Sequence, residues 1–226
     1  DNVRVRGPGI DWVVKRYRRD QRESLFPNLP DAEARAREVL RGHGVAPEPV
    51  AVVAAARGQA PVLVYEYWPG QVWRRDVRQV AHLLRRLHAV PTGDLAGFRH
   101  LPMTAREVLA EADQLLAALP PGADDLTTAL RGLRPSADDA GPARRRIVHT
   151  DVGAGNLIVG PRGTRLIAWL CPGLGDPAQD LWAFLSPAFQ ILFGHAPLTP
   201  AQTSAFLSAY GDPEALKLGA KVMSFI

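Results

Sequence analysis

Lysine is almost missing from this chain. Only Lys15, Lys217 and Lys221 occur in 226 residues, and arginine supplies the rest of the basic charge. A single cysteine, Cys171, excludes an internal disulfide framework and fits a reducing, cytoplasmic setting. No apolar run reaches the roughly 18 residues that a spanning helix needs, and no charged-then-apolar leader opens the sequence, so no membrane association is expected. Aromatic residues make up 7% and form no stripe interleaved with basic ones. The arginine clusters at 16–19 and 144–146 read as solvated surface, and no nucleic-acid partner is expected. Apolar residues make up 46%, enough for the core of one large domain or of two small lobes sharing a cleft.

The pattern of elements changes along the chain. Val3–Val5 and Trp12–Tyr17 flank a Gly7-Pro8-Gly9 turn and predict a β-hairpin. Pro30 and Asp31 open a helix to Leu40, with Gly42 and Gly44 beyond its end. Residues 50–56 and 61–67 read as strands around Arg57–Gln59, and Trp68-Pro69-Gly70 breaks the second. Helical spacing then takes over at Val77, Val80, Ala81, Leu84, Leu87 and His88, until Pro91. Thr104 and Glu107 form a capping box for a helix to Leu119. Residues 120–143 read as connecting structure with a short helical piece. A hairpin of 157–159 and 165–169 follows, then an apolar helix over 180–193 interrupted near Pro187, and a last helix over 199–210. Leu218–Ile226 shows no pattern. Strands with one helix, then mostly helices, predict an α+β architecture. The division expected is 1–67, a connection at 68–70, and a helical part over 71–226.

The chemistry concentrates in one stretch. His149, Asp151 and Asn156 follow the spacing His-x-Asp, four residues, Asn. Phosphoryl transfer needs a carboxylate near the attacking hydroxyl and oxygen ligands for magnesium, and this spacing supplies candidates for both. Leu166, Ile167 and Trp169 come next, then Gly175-Asp176-Pro177 and Asp180-Leu181. Lys15 adds a second signal, because it is the sole lysine among the first 216 residues. A compact ammonium does not interchange with a guanidinium fork. His43, His82, His100 and His195 show no metal-ligand spacing.

This ordered set resembles the aminoglycoside phosphotransferase and choline kinase superfamily of small-molecule kinases, over about Val3 to Tyr210. The resemblance implies a two-lobed protein-kinase-like fold. A small antiparallel sheet and one helix form the N-lobe, and a mostly helical C-lobe carries the catalytic loop. It implies Asp151 as the catalytic carboxylate and Asn156 as a magnesium ligand. Lys15 would meet the nucleotide phosphates, oriented by Glu33, with Glu38 a rival one turn along. The stretch from Leu63 to Gly70 would run through the hinge, with the Glu66 carbonyl and the Trp68 amide pairing with the base. His149 would pack the loop. Asp176 and Asp180 would be structural acids, although Asp180 also reads as a helix N-cap. His88 would satisfy a buried polar contact. The cofactors implied are ATP or GTP with Mg2+, and the partner a small hydroxylated acceptor. The absence of an Ala-Pro-Glu element argues against a protein kinase.

Three departures stand against that pattern. Ala168 occupies the place of the second metal-binding Asp. The family's first strand and glycine-rich loop are not found ahead of Val3, so the N-terminus reads as cut, disordered or omitted. The family also continues with helices beyond the last one here. Two functions stay open. One is a phosphotransferase acting on an aminoglycoside-, choline- or sugar-like hydroxyl, and the other is a catalytically impaired pseudokinase that binds a nucleotide or ligand. Trp182, Phe184, Phe189 and Phe193 could form an aromatic cage for a quaternary cation or could be core.

Overall fold

A computed structural model describes residues 1–17, 27–54, 61–93, 96–120, 122, 124–136 and 144–211. The leading hairpin is as expected. Strands β1 (Asn2–Gly7) and β2 (Ile10–Arg16) pair antiparallel, with Val3 opposite Val14 and Val5 opposite Trp12. Gly9 turns the chain at φ 70°, where glycine carries no Cβ penalty. Strands β3 (Pro49–Val53) and β4 (Val62–Glu66) complete a sheet of order β1-β2-β4-β3, which sets Lys15 opposite Leu63. The turn expected at Arg57–Gln59 lies outside the described residues. Helix α1 (Pro30–Val39) lies between β2 and β3 in the chain, with Pro30 in its first turn and acids at Asp31 and Glu33 facing the positive end of the helix dipole.

The rest is mainly helical. After β5 (Gln71–Val72) comes α2 (Val77–His88), capped by the Asp76 carboxylate, which accepts the Arg78 N–H. Then follow β6 (Arg99–His100), α3 (Ala105–Ala117), α4 (Asp124–Leu133), β7 (Arg146–Val148) and a 3-10 turn at Ala154–Asn156. The chain continues through β8 (Leu157–Gly160), β9 (Gly163–Leu166), β10 (Gly173–Gly175), α5 (Ala178–Leu185), α6 (Pro187–Leu192) and α7 (Pro200–Tyr210). Two three-stranded sheets, β5-β8-β9 and β6-β10-β7, bracket the loop after β7.

Two expected boundaries are corrected, and four short strands were not foreseen. Strand β9 ends at Leu166 rather than running to Trp169, because Ala168 adopts a left-handed φ of 57° and extended pairing stops there. Strands β5, β6, β7 and β10 are two or three residues long, too short for alternation to mark them. The apolar 180–193 stretch is interrupted near Pro187 as expected, which makes two helices, but it begins two residues earlier. The break falls at Ser186, whose hydroxyl caps α6 ahead of Pro187.

Helix α2 is the centre of the core. Val80, Ala81, Leu83, Leu84 and Leu87 are all fully buried, and α7 packs along it. The same cluster reaches Ala36, Leu40, Val45 and Ala46 at the end of α1, and Phe184, which stacks on Phe206 at 5.0 Å. Val45 O also accepts the Leu166 N–H at 2.8 Å, tying the turn after α1 to β9. Phe184 is therefore core rather than cage.

At residues 68–70 Trp68 is buried, while Pro69 and Gly70 are exposed yet lie close to β8. The Trp68 indole N–H donates to Gly163 O at 3.1 Å, and the guanidiniums of Arg162 and Arg165 stack on the ring at 4.1 and 3.9 Å. A Cβ on Gly160 would lie 2.1 Å from the Pro69 carbonyl oxygen, and one on Gly70 2.4 Å from that of Val159. Gly160→Ala is therefore expected to cost about 1–3 kcal/mol through forced backbone shifts. Gly132→Ala, in exposed α4 with nothing within 4 Å, should instead be neutral or gain about 0.5–1 kcal/mol. Urea unfolding of both variants reads the contrast; equal stabilities would contradict the close approach at Gly160.

Candidate active site

The loop from His149 to Asn156 is held by a buried carboxylate. Asp180, in the first turn of α5, is 0% exposed. Its Oδ2 accepts the His149 N–H at 2.9 Å and lies 3.1 Å from His88 Nε2, and its Oδ1 accepts the Thr150 N–H at 2.7 Å. His88 Nδ1 in turn lies 2.9 Å from the Tyr210 hydroxyl. Three helices, α2, α5 and α7, thus converge on the loop. Thr150 is bent to φ 71° and is held there by these bonds and by its hydroxyl, which donates to Cys171 O at 3.0 Å. The N-terminal capping role falls to Asp176, whose Oδ1 accepts the Ala178 N–H at 2.7 Å, so the two acids divide the tasks. His149 packs edge-on against Trp169 at 4.5 Å. Its Nδ1 accepts the Asp151 N–H at 3.3 Å, which leaves Nε2 to donate to Ile167 O at 2.9 Å.

Asp151 and Asn156 meet at the far side of the turn. Asn156 Nδ2 donates to the Asp151 carbonyl and to its Oδ2, both at 2.8 Å. With the amide nitrogen spent, the Asn156 carbonyl oxygen is the ligating group that remains. Gly153 and Gly155, between the two, carry no side chains because Phe193 covers them. A Cβ on Gly153 would lie 1.9 Å from the Phe193 ring, and one on Gly155 2.7 Å. The position of Phe193 on this loop was not legible in the sequence.

Lys15, near the end of β2, is buried and donates to Glu33 Oε2 at 2.5 Å. The rival acid Glu38 is taken up by Arg41 at 2.9 Å, at the surface. Sequence reasoning missed two further partners of Glu33. The Tyr17 hydroxyl donates to Oε2 at 2.6 Å, and Arg37 donates to Oε1 from Nη2 at 2.8 Å and Nε at 3.1 Å. The four-residue spacing of Glu33 and Arg37 on α1 was the available signal. Burial alone would push the Glu33 carboxyl up. The Arg37 charge, then the Lys15 charge and the hydrogen bonds from Lys15 and Tyr17, outweigh it and hold Glu33 below the ordinary carboxylate range. Burial pushes the Lys15 ammonium down against the pull of Glu33.

Cys171 packs against the loop. Its thiol lies 3.1 Å from the Thr150 hydroxyl. Burial raises the thiol, and the charge of Asp151 adds to that, so it stays protonated. Through the Leu170 carbonyl, which accepts the Leu29 N–H at 2.8 Å, the same segment also meets the start of α1, the helix that carries Glu33. Ala168 borders that segment and holds a left-handed φ of 57°, a backbone that Asp and Asn adopt several-fold more readily than most residues with a side chain. As they stand, the donors do not fit a magnesium ion held by the protein. Asn156 offers one oxygen, Ala168 offers none, and no group of three or more His, Cys, Asp or Glu side chains among the described residues could hold a metal.

At the expected hinge, the Glu66 N–H is taken by Glu48 O at 2.9 Å and the Tyr67 N–H by Asp11 O at 2.8 Å, while the Trp68 N–H makes no backbone hydrogen bond among the described residues. The Trp68 side chain has the separate role of anchoring the hinge to the β8–β9 hairpin.

Solved structures of low identity share this fold. Choline kinase LicA from Streptococcus pneumoniae, also solved with AMP, superposes with a TM-score of 0.65 at 21% identity, over 95% of this chain and 72% of that one. An aminoglycoside-3'-phosphotransferase of type VIII gives 0.56 at 24%, over 100% and 88%. The GDP and kanamycin complex of APH(2")-IIia gives 0.62 at 16%, over 95% and 75%. The fold is thus the two-lobed α+β fold of these kinases. The phosphotransferase enzyme family matches residues 1–218, and the chain belongs to it. No curated protein sequence matches the chain.

The buried network makes a prediction about acid. Glu33 is held below its unfolded value, so between the two values the unfolded chain binds more protons, and stability rises with pH. The contribution is complete above about pH 4.3, the unfolded glutamate value, and is lost as pH falls through the lower folded value. Melting temperatures recorded down this range should show an acid limb that Glu33→Gln flattens. An unchanged limb in that variant would assign the acid sensitivity to other carboxylates.

Proposed function

We propose that the chain binds ATP or GTP between its lobes and transfers the terminal phosphoryl group to a hydroxyl of a small acceptor. The observation that carries this is that the Asp151 carboxylate is fixed by Asn156 on the loop that Asp180 organises, in a chain that also holds a buried Lys15–Glu33 pair. The Asp151 carboxylate would accept or orient the proton of the acceptor hydroxyl. The Lys15 ammonium would face the nucleotide phosphates, and the Glu66 carbonyl and Trp68 N–H would receive the base. The family and the choline- and aminoglycoside-directed kinases of the same fold support an acceptor of that kind. No step through magnesium is assigned, because the donors of Asn156 and Ala168 fall short of a site for it.

Ala168 also favours a second reading, a pseudokinase that binds a nucleotide or ligand without turnover. Phosphoryl transfer rests on positioning and electrostatics, so a missing ligand carboxylate could slow it on the order of 10³-fold or more. The decisive measurement is phosphoryl transfer from ATP and GTP to a panel of choline-, aminoglycoside- and sugar-like acceptors, with and without Ala168→Asp. The kinase reading expects a gain of about that size, at little backbone cost given the left-handed φ. Nucleotide binding with no transfer by either version would establish the pseudokinase instead. In whichever version turns over, Asp151→Asn should abolish transfer and leave the melt intact. Retained turnover in that variant would remove Asp151 from the reaction.

A further inference from the structure

Two cations share one carboxylate behind the cleft. Lys15 and Tyr17 take one oxygen of Glu33, and Arg37 takes the other through two nitrogens. Arg37 is 2% exposed, its guanidinium lies 3.8 Å from the centre of the Tyr65 ring, and its Nη1 is buried without a hydrogen-bond partner among the described residues. The Lys15–Glu33 pair alone would be neutral. A second buried cation adds a desolvation cost and leaves the group of three with net charge +1. An arrangement of that kind needs a reason beyond folding.

The reason lies in what an anion in the cleft asks of Lys15. Its ammonium would have to turn donors away from Glu33 toward the anion. A carboxylate buried with Tyr17 as its remaining partner would be strongly unfavourable, and Lys15 would be held back. With Arg37 on the other oxygen, Glu33 keeps a full positive charge beside it whichever way Lys15 turns. We propose that Arg37 is a positioning residue that holds Glu33 through its second oxygen and so releases the Lys15 charge to the phosphates of a nucleoside di- or triphosphate. This rests on the nucleotide-binding reading above.

Two measurements test it, and one does not need a nucleotide. In thermal melts, Lys15→Met and Arg37→Met should each leave a cooperative fold, because either cation suffices for Glu33. The double variant should fall by more than the sum of the two shifts. Additive shifts, or loss of the fold in Arg37→Met alone, would overturn the proposal. In calorimetry without magnesium, Arg37→Met should bind ADP about tenfold or more weakly, and adenosine within about twofold of the parent protein. Arg37→Lys should restore ADP binding to within about threefold. An equal loss for ADP and adenosine would mark Arg37 as merely structural, and unchanged ADP binding would remove its influence on Lys15. If the parent protein bound neither compound, the nucleotide reading would fall, while the melts would still decide whether Arg37 holds Glu33.

Discussion

The Asp180 carboxylate is wholly buried, and both of its oxygens are occupied by successive N–H groups of the loop, at His149 and Thr150, with His88 beside them. A buried carboxylate is strongly unfavourable unless it is hydrogen-bonded, so this one fixes its donors as firmly as they fix it. The left-handed turn at Thr150 follows from that grip. The presentation of Asp151 follows from the turn, and Asn156 completes the loop by bonding back to Asp151. The helical core is arranged around the same point. Asp180 comes from α5, His88 from α2, and Tyr210 from α7, so the contacts that stabilise the helices also shape the loop.

Charge behind Lys15 is not balanced within the buried group itself. Lys15 and Arg37 both lie against the one carboxylate of Glu33, and all three side chains are almost wholly buried. The three together carry a net charge of +1 out of water, a cost that a lone Lys–Glu pair would not meet.

The sequence showed what depends on spacing and on rare residues. The His149, Asp151, Asn156 pattern located the loop, the scarcity of lysine singled out Lys15, and the period of α2 named the residues that proved buried. What stayed hidden depends on three-dimensional proximity. Strands of two or three residues leave no alternation to read. The left-handed turn that ends β9 comes from an alanine, which carries no turn signal. Phe193 covers Gly153 and Gly155 from some forty residues downstream, and nothing in its own surroundings points back to them. Arg37 lay within reach of inference at four residues from Glu33, but attention went to which acid, Glu33 or Glu38, would meet Lys15. At Trp68 the backbone drew attention because hinges work through backbone groups, and the indole turned out to have a structural task of its own.

That task has a mechanical consequence. A pivot between two lobes must fall where the chain can change its dihedral angles without breaking contacts. Beyond Trp68 it cannot, because the indole is bonded to Gly163 and flanked by two guanidiniums, and Pro69 and Gly70 lie against the backbone of β8. Residues 68–70 are therefore bracketed onto the β8–β9 hairpin. A change of backbone angles at residues 68–70 would have to break these contacts, so the stretch is braced by its own side chain rather than by the sheet that precedes it.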